Sequence, residues 1–325
     1  MPLGVRKFIY KALIFGSIFF ILDGFIGAQI KPYFMASAGG YLKIYNALLG
    51  KNNADIIFIG NSHTEHGLDS TLISDLCRCQ ARNLSTSGGN IISTYYFMLE
   101  YLKNNTPPKF VVMQAGDAGT MGFQSYGVHY FLLLHQLSGA DQFEYFFQTF
   151  DLNLVAKKFV KFYQYRLSFR RYLNKDLTFS YKAPDRARID TFSPLSGQLQ
   201  LANEENVKLL ENPLSNEIPM DNAEFVYLRK LTALLRSRGV KLVLVTPPEP
   251  LAWLRVAKST ASMTEAVSKE ARALNLTYYN FDTPSNSIVN RAAYFYDEQH
   301  LNSDGANAYT LQVWDSLKPI YENNN

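Results

Sequence analysis

The chain has 325 residues and a mass of 36.9 kDa, enough for one large domain or two modest ones, and its 47% hydrophobic and 18% charged residues exclude a disordered or collagen-like protein. A formal charge of +4, from 32 basic and 28 acidic residues, is too small for the dense basic footprint of a nucleic-acid binder. Two cysteines cannot build a disulfide scaffold, and 14% aromatic residues suggest a globular body that also meets lipid, a partner or a lined cleft.

Arg6, Lys7 and Lys11 precede an apolar run from Ala12 to Ile30 whose one charged member is Asp23. As a helix this run reaches about 28 Å, one hydrocarbon thickness. The leading reading is an uncleaved transmembrane anchor over 1–30, with the basic flank in the cytoplasm and the body outside. A signal peptide cut before Gln29 and a buried N-terminal helix are the alternatives. Asp23 argues against an anchor unless it lies near the interface or is paired.

Residues 31–53 read as a juxtamembrane connector with a short helix over Leu42–Leu49. From 54 onward the pattern is α/β. Asp55–Gly60 is a short apolar run closed by glycine, as in a central parallel strand, and a helix is expected over Asp69–Leu76. Further strands are expected at Ala81–Leu84, Phe110–Met113, Val240–Val245 and Leu276–Tyr279. Helices are expected at Ile91–Lys103, Ala223–Arg238, Thr264–Leu274 and from Asp304 to about Leu317. Such alternation implies a three-layer fold with a mostly parallel sheet. Residues 118–221 interrupt it, with helical pattern at Tyr130–Leu137, Phe143–Phe150 and Val155–Leu173 and a Pro, Ser and Asn-rich stretch after Ala183. Between Asp151 and Asp190, ten Lys or Arg stand against four Asp or Glu, interleaved with aromatics. A solvated helical cap or a surface near anionic lipid, glycan or a membrane partner would both account for this.

Two short segments carry the chemistry. Gly60-Asn61-Ser62-His63 follows the first strand, so Ser62 stands at the carboxyl end of the sheet, where open α/β folds place ligands. The ordinary alternative is a polar turn with Ser62 capping a helix. The second segment is Tyr296-Asp297-Glu-Gln-His300-Leu-Asn, in which Asp297 can orient His300 and leave its other ring nitrogen free to act as a base. His63, Glu65 and His66 lack the spacing of a metal site, and no metal or cofactor is expected. Cys77 and Cys79 could be free thiols or, outside the cytoplasm, a tight disulfide. Pro247 and Pro248 end a strand at the rim of the site, next to which Asn61 and His63 also fall.

Gly60-Asn61-Ser62 after a strand, the pair Gly88-Gly89 after a second one, and Asp297-x-x-His300-Leu-Asn before a last helix resemble the SGNH (GDSL-like) hydrolase superfamily over about Asp55 to Ile320. The resemblance implies a flavodoxin-like αβα sandwich with a central parallel sheet, here with an N-terminal transmembrane helix and a mainly helical insertion. It implies Ser62 as nucleophile, Asp297 and His300 as its partners, and an oxyanion hole drawn from Ser62, Gly88 or Gly89, with Asn90 or Gln114 in place of the family asparagine, which this chain lacks in its Gln114-Ala-Gly116-Asp117 segment. The anchored arrangement is similar to the branch that handles O-acyl groups on cell-envelope polymers. The expected activity is serine-dependent O-acyl transfer to, or ester hydrolysis on, an envelope or exported polysaccharide at the outer face of a bacterial inner membrane. A multi-pass membrane acyltransferase would supply the acyl group in the transfer case. A non-catalytic scaffold or glycan-binding subunit is the alternative.

Overall fold

The computed structural model describes residues 2–37, 39–116, 137, 139–148, 156, 159–175, 223–251, 258–296 and 299–323. Asp297, Asp117 and most of the 118–221 insertion, including the expected helix over Tyr130–Leu137, therefore lie outside the described residues. The chain divides into two compact units, Met1–Leu42 with Phe131–Pro184, and Lys43–Tyr130 with Asp185–Asn325.

The first unit holds α1 (Leu3–Ser37), α6 (Gly139–Gln148), α7 (Lys161–Tyr165), a 3-10 turn (Arg166–Ser168) and α8 (Phe169–Leu173). The stretch Leu3–Phe34 is long and apolar enough to cross a membrane, and holds an 18-residue window of mean hydropathy 1.9. The helix continues past Ile30 through Pro32, where a connector was expected, because packing outweighs the proline: the ring of Tyr33 lies 5.5 Å from Tyr172 and that of Phe34 5.2 Å from Tyr165.

In the second unit, α2 (Gly39–Leu48, begun in the first) leads to β1 (Ile56–Ile59), α3 (Ser62–Gly67), α4 (Ser70–Cys77), β2 (Ala81–Asn83), α5 (Ile91–Asn104) and β3 (Phe110–Gln114). After the insertion come α9 (Ala223–Ser237), β4 (Lys241–Thr246), α10 (Lys258–Ala273), β5 (Thr277–Asn280) and α11 (Ser303–Glu322). The described strands form one parallel sheet in the order β2-β1-β3-β4-β5, the flavodoxin-like doubly wound arrangement.

Residues of opposite parity in the strands serve opposite faces. Ile56, Phe58, Val112, Val243 and Val245 share a buried core with Ile73 of α4 and Tyr309, Val313 and Leu317 of α11. Ile57, Ile59, Val111, Met113 and Leu244 point the other way, toward the side where α5 meets α9 through the Tyr96 and Tyr227 hydroxyls, 3.2 Å apart. β1 and β3 are buried throughout, as expected for a sheet covered on both faces, and each large side chain so removed from water contributes about 1.5–3 kcal/mol. Helix starts follow their sequence signals: Asp69, Asn90 and Asn302 cap α4, α5 and α11 with side-chain oxygens. Cys77 and Cys79 form a disulfide across Arg78, whose backbone is left-handed.

Candidate active site

β1 ends at Ile59, and two residues later the chain enters α3. Ser62 thereby sits at the carboxyl end of the sheet beside the β1–β3 boundary, where the strand order reverses. Asn61, and not Ser62, caps this helix, accepting the His63 N–H at 2.9 Å. The serine hydroxyl is thus spared for chemistry, and the Ser62 N–H, in the first helical position, has no acceptor within the helix. Below the turn, the fully buried Gln114 at the end of β3 accepts three hydrogen bonds on Oε1: from the Asn61 N–H at 3.1 Å, the Thr64 N–H at 3.3 Å and the Thr64 hydroxyl at 2.6 Å.

The second loop lies against the first. Thr86 donates its N–H to the Gly60 carbonyl at 3.1 Å, and a Cβ on Gly89 would come within 2.5 Å of that same oxygen, so glycine is required there. The Gly89 N–H is engaged by the Thr86 carbonyl at 2.8 Å, and Gly88 takes a φ of 71°. Asn90 is buried and caps α5 by accepting the Ser93 N–H. Glu65, one turn after Ser62, accepts the Ser87 N–H and hydroxyl and pairs with Lys43 at 3.0 Å. Burial pushes its carboxyl up. The Lys43 ammonium, the Ser87 hydroxyl and His66 outweigh this and hold it at about 2.

His300 comes from the loop before α11. Leu301 is buried in the core, Asn302 caps α11, Tyr296 donates its N–H to the His300 carbonyl at 2.7 Å, and Asn302 donates to Tyr294 at 2.9 Å, so the residues around the imidazole are fixed on both sides. Its Nε2 lies 2.9 Å from Ser62 Oγ. Two residues 238 positions apart are therefore in hydrogen-bond contact at the sheet's carboxyl edge.

Around this pair, His63 Nδ1 is 3.7 Å from Glu249 Oε1, and the rings of His63 and His66 lie 5.2 and 5.9 Å from that of His300. Glu249 follows the buried Pro247 and Pro248 at the end of β4, and its N–H is held by Asp282 Oδ1 at 2.9 Å. The sequence reading did not single out Glu249 as a partner for His63. The available signal was only a carboxylate after a strand-ending Pro-Pro. Among the described residues, no group of three or more His, Cys, Asp or Glu is arranged to hold a metal ion.

No protein-family model matches the chain, and no curated protein matches it. Similar solved structures include a protein named as an acylhydrolase from Bacteroides fragilis NCTC 9343, with 12% identity over 82% of this chain and 86% of that one and a TM-score of 0.39. A GDSL-like lipase from Bacteroides thetaiotaomicron VPI-5482 is similar with 10% identity over 82% and 88% of the two chains and a TM-score of 0.39.

Proposed function

We propose that this chain is an SGNH-type serine acyl enzyme that removes or transfers O-acyl groups, most simply acetyl, on a cell-envelope or exported polysaccharide. The observation that carries this reading is the 2.9 Å contact between Ser62 Oγ and His300 Nε2 at the reversal point of a parallel sheet. His300 takes the hydroxyl proton as Ser62 attacks an ester carbonyl, and the oxyanion meets the Ser62 N–H and donors from the Gly88–Asn90 loop. As the tetrahedral intermediate collapses, the imidazolium returns its proton to the departing alcohol, leaving acyl-Ser62. A second hydroxyl, from water or a glycan, then attacks while His300 accepts its proton, and Ser62 is regenerated. Asp297 would orient His300 from the same loop. Gln114, with its oxygen committed to the nucleophile turn, serves this chemistry by holding Asn61 and Thr64 on either side of Ser62.

The outer face of a bacterial inner membrane is the proposed location. The apolar helix with Arg6, Lys7 and Lys11 at its start supports a single span with the N-terminus inside, and the Cys77–Cys79 disulfide is in keeping with an oxidising compartment. There an acyl donor would come through a multi-pass membrane partner, since cytosolic thioesters do not reach that side. Purified full-length protein assayed on an aryl acetate and on an O-acetylated glycan tests the reading. Release of acetate or its transfer to a free glycan is expected, with both lost in Ser62→Ala. A C-terminal reporter active only in the cytoplasm would overturn the location.

A further inference from the structure

We propose that the helical segment 159–173 is a second membrane element, seated at the outer boundary of the bilayer crossed by α1, with Phe159 and Phe162 in contact with lipid. This rests on the reading of α1 as a membrane span. The starting point is the carboxylate inside the apolar run. An ionised Asp at bilayer depth costs several kcal/mol unless it is paired. Asp23 is 6% exposed, and both its oxygens are used: Oδ2 accepts the Lys161 N–H at 2.6 Å and Oδ1 the Phe162 N–H at 2.8 Å. These are the first two N–H groups of α7, whose own N-cap, Val160, makes no side-chain cap. Asp23 supplies the missing cap from another helix, at the end of α7 that favours negative charge.

Asp23, Gly27 and Ile30, spaced i, i+4 and i+7, are the buried stripe of this part of α1. Gly27 admits α7, since a Cβ there would lie 2.4 Å from the Lys161 Cβ. Before Asp23 the picture reverses. Every residue from Leu3 to Leu22 except Gly16 is exposed, including Phe8, Phe15 and Ile21 at 71, 73 and 70%. The apolar run that follows Lys11, from Ala12 to Ile30, is about 28 Å as a helix, which matches a hydrocarbon core. Its outer end is where α7 docks. At that level Phe159 and Phe162 are 57 and 39% exposed, and the basic residues Lys161, Arg166, Arg170 and Arg171 are interleaved with aromatic rings, Arg166 lying 3.9 Å over Tyr163. Apolar rings beside long basic side chains are what the headgroup boundary accepts, about 5–10 Å into the interface.

The test uses the full chain in phosphatidylcholine and phosphatidylglycerol vesicles with the native disulfide intact, so that only an introduced cysteine takes an environment-sensitive fluorophore. Phe162→Cys is compared with Leu22→Cys inside the span and with Leu311→Cys on α11, which is 45% exposed. Quenching of position 162 by a nitroxide on the lipid, comparable to position 22 and several-fold above position 311, with protection from aqueous iodide, is the expected result. Asp23→Leu should make position 162 accessible to iodide while position 22 stays quenched by lipid. If position 162 behaves like 311 while 22 is lipid-quenched, the proposal for this segment fails alone, and any partner for this surface is a protein. If position 22 is not quenched by lipid, the membrane span fails with it. An unchanged position 162 in Asp23→Leu would overturn the cap as the seat of the segment.

Discussion

Glu65 accepts both the backbone N–H and the hydroxyl of Ser87, at 2.6 and 2.7 Å, and so ties the helix that begins with Ser62 to the turn that carries Gly88 and Gly89. Its second oxygen holds Lys43, whose side chain is 5% exposed. The proposed nucleophile and the proposed oxyanion loop are thus held together by a buried, paired charge. Glu65→Ala should cost about 3–5 kcal/mol, because it strands the Lys43 ammonium as well as freeing Ser87. Thermal unfolding measures the loss. Glu65→Gln, which keeps the shape, should lower kcat more than it raises KM, since the loop it steadies is needed most in the transition state.

The same carboxylate sets an acid limit on the fold. Its folded value of about 2 lies below the ordinary 4.5, so its contribution is fully present above about pH 4.5 and is lost as pH falls through about 2. The contribution is on the order of 3 kcal/mol. Denaturant unfolding of wild type and Glu65→Gln should show a gap above pH 5 that narrows steadily toward pH 2. A gap independent of pH would contradict the paired charge.

Gln114 predicts a different failure. Gln114→Leu removes one acceptor and leaves the Asn61 N–H, the Thr64 N–H and the Thr64 hydroxyl to be satisfied elsewhere, at about 1–3 kcal/mol for each group that stays buried and unpaired. The protein should unfold at a lower temperature and lose kcat, because the displaced turn carries Ser62. Gln114→Glu, which keeps an acceptor, should recover more stability than Gln114→Leu. Circular dichroism melts of the two variants decide this.

What could be read in the chain follows from how local each feature is. Ser62 and His300 stand in short patterns, Gly-Asn-Ser after an apolar strand and Asp-x-x-His-Leu-Asn before a helix, and both the strand run and the Asn302 cap are local signals. Helix α3 could not be read, because six residues with the sequence Ser-His-Thr-Glu-His-Gly show no apolar period. Glu65 was visible only as a neighbour of two histidines. Its partners Lys43 and Ser87 lie 22 residues away on either side and meet it only after folding. Gln114 is a possible donor by its place after β3, and its side-chain oxygen accepts from a turn some 50 residues earlier in the chain, a relation no local pattern encodes. Asp23 looked like a defect in an apolar helix for the same reason: the N–H groups it caps lie 138 and 139 residues on.

The Cys77–Cys79 bond closes a very short loop, so it removes little chain entropy from the unfolded state. A three-residue loop corresponds to about 1.5 kcal/mol. Reduction under native conditions should therefore lower the melting temperature by only a few degrees and leave turnover intact, because the bond joins the end of α4 to the segment before β2, away from Ser62 and His300. Calorimetry with and without reductant checks this, and loss of activity on reduction would contradict it.

The proposal that Ser62 and His300 act as one catalytic unit is tested most directly by covalent labelling of the purified full-length protein with a fluorophosphonate serine probe, alongside turnover of an acetyl ester. Wild type should label at Ser62, and Ser62→Ala and His300→Ala should each lose labelling and lower kcat by about 10⁴-fold or more, with the double variant little worse than either, as expected for residues acting together. Wild-type turnover or undiminished labelling in a folded Ser62→Ala protein would contradict the account.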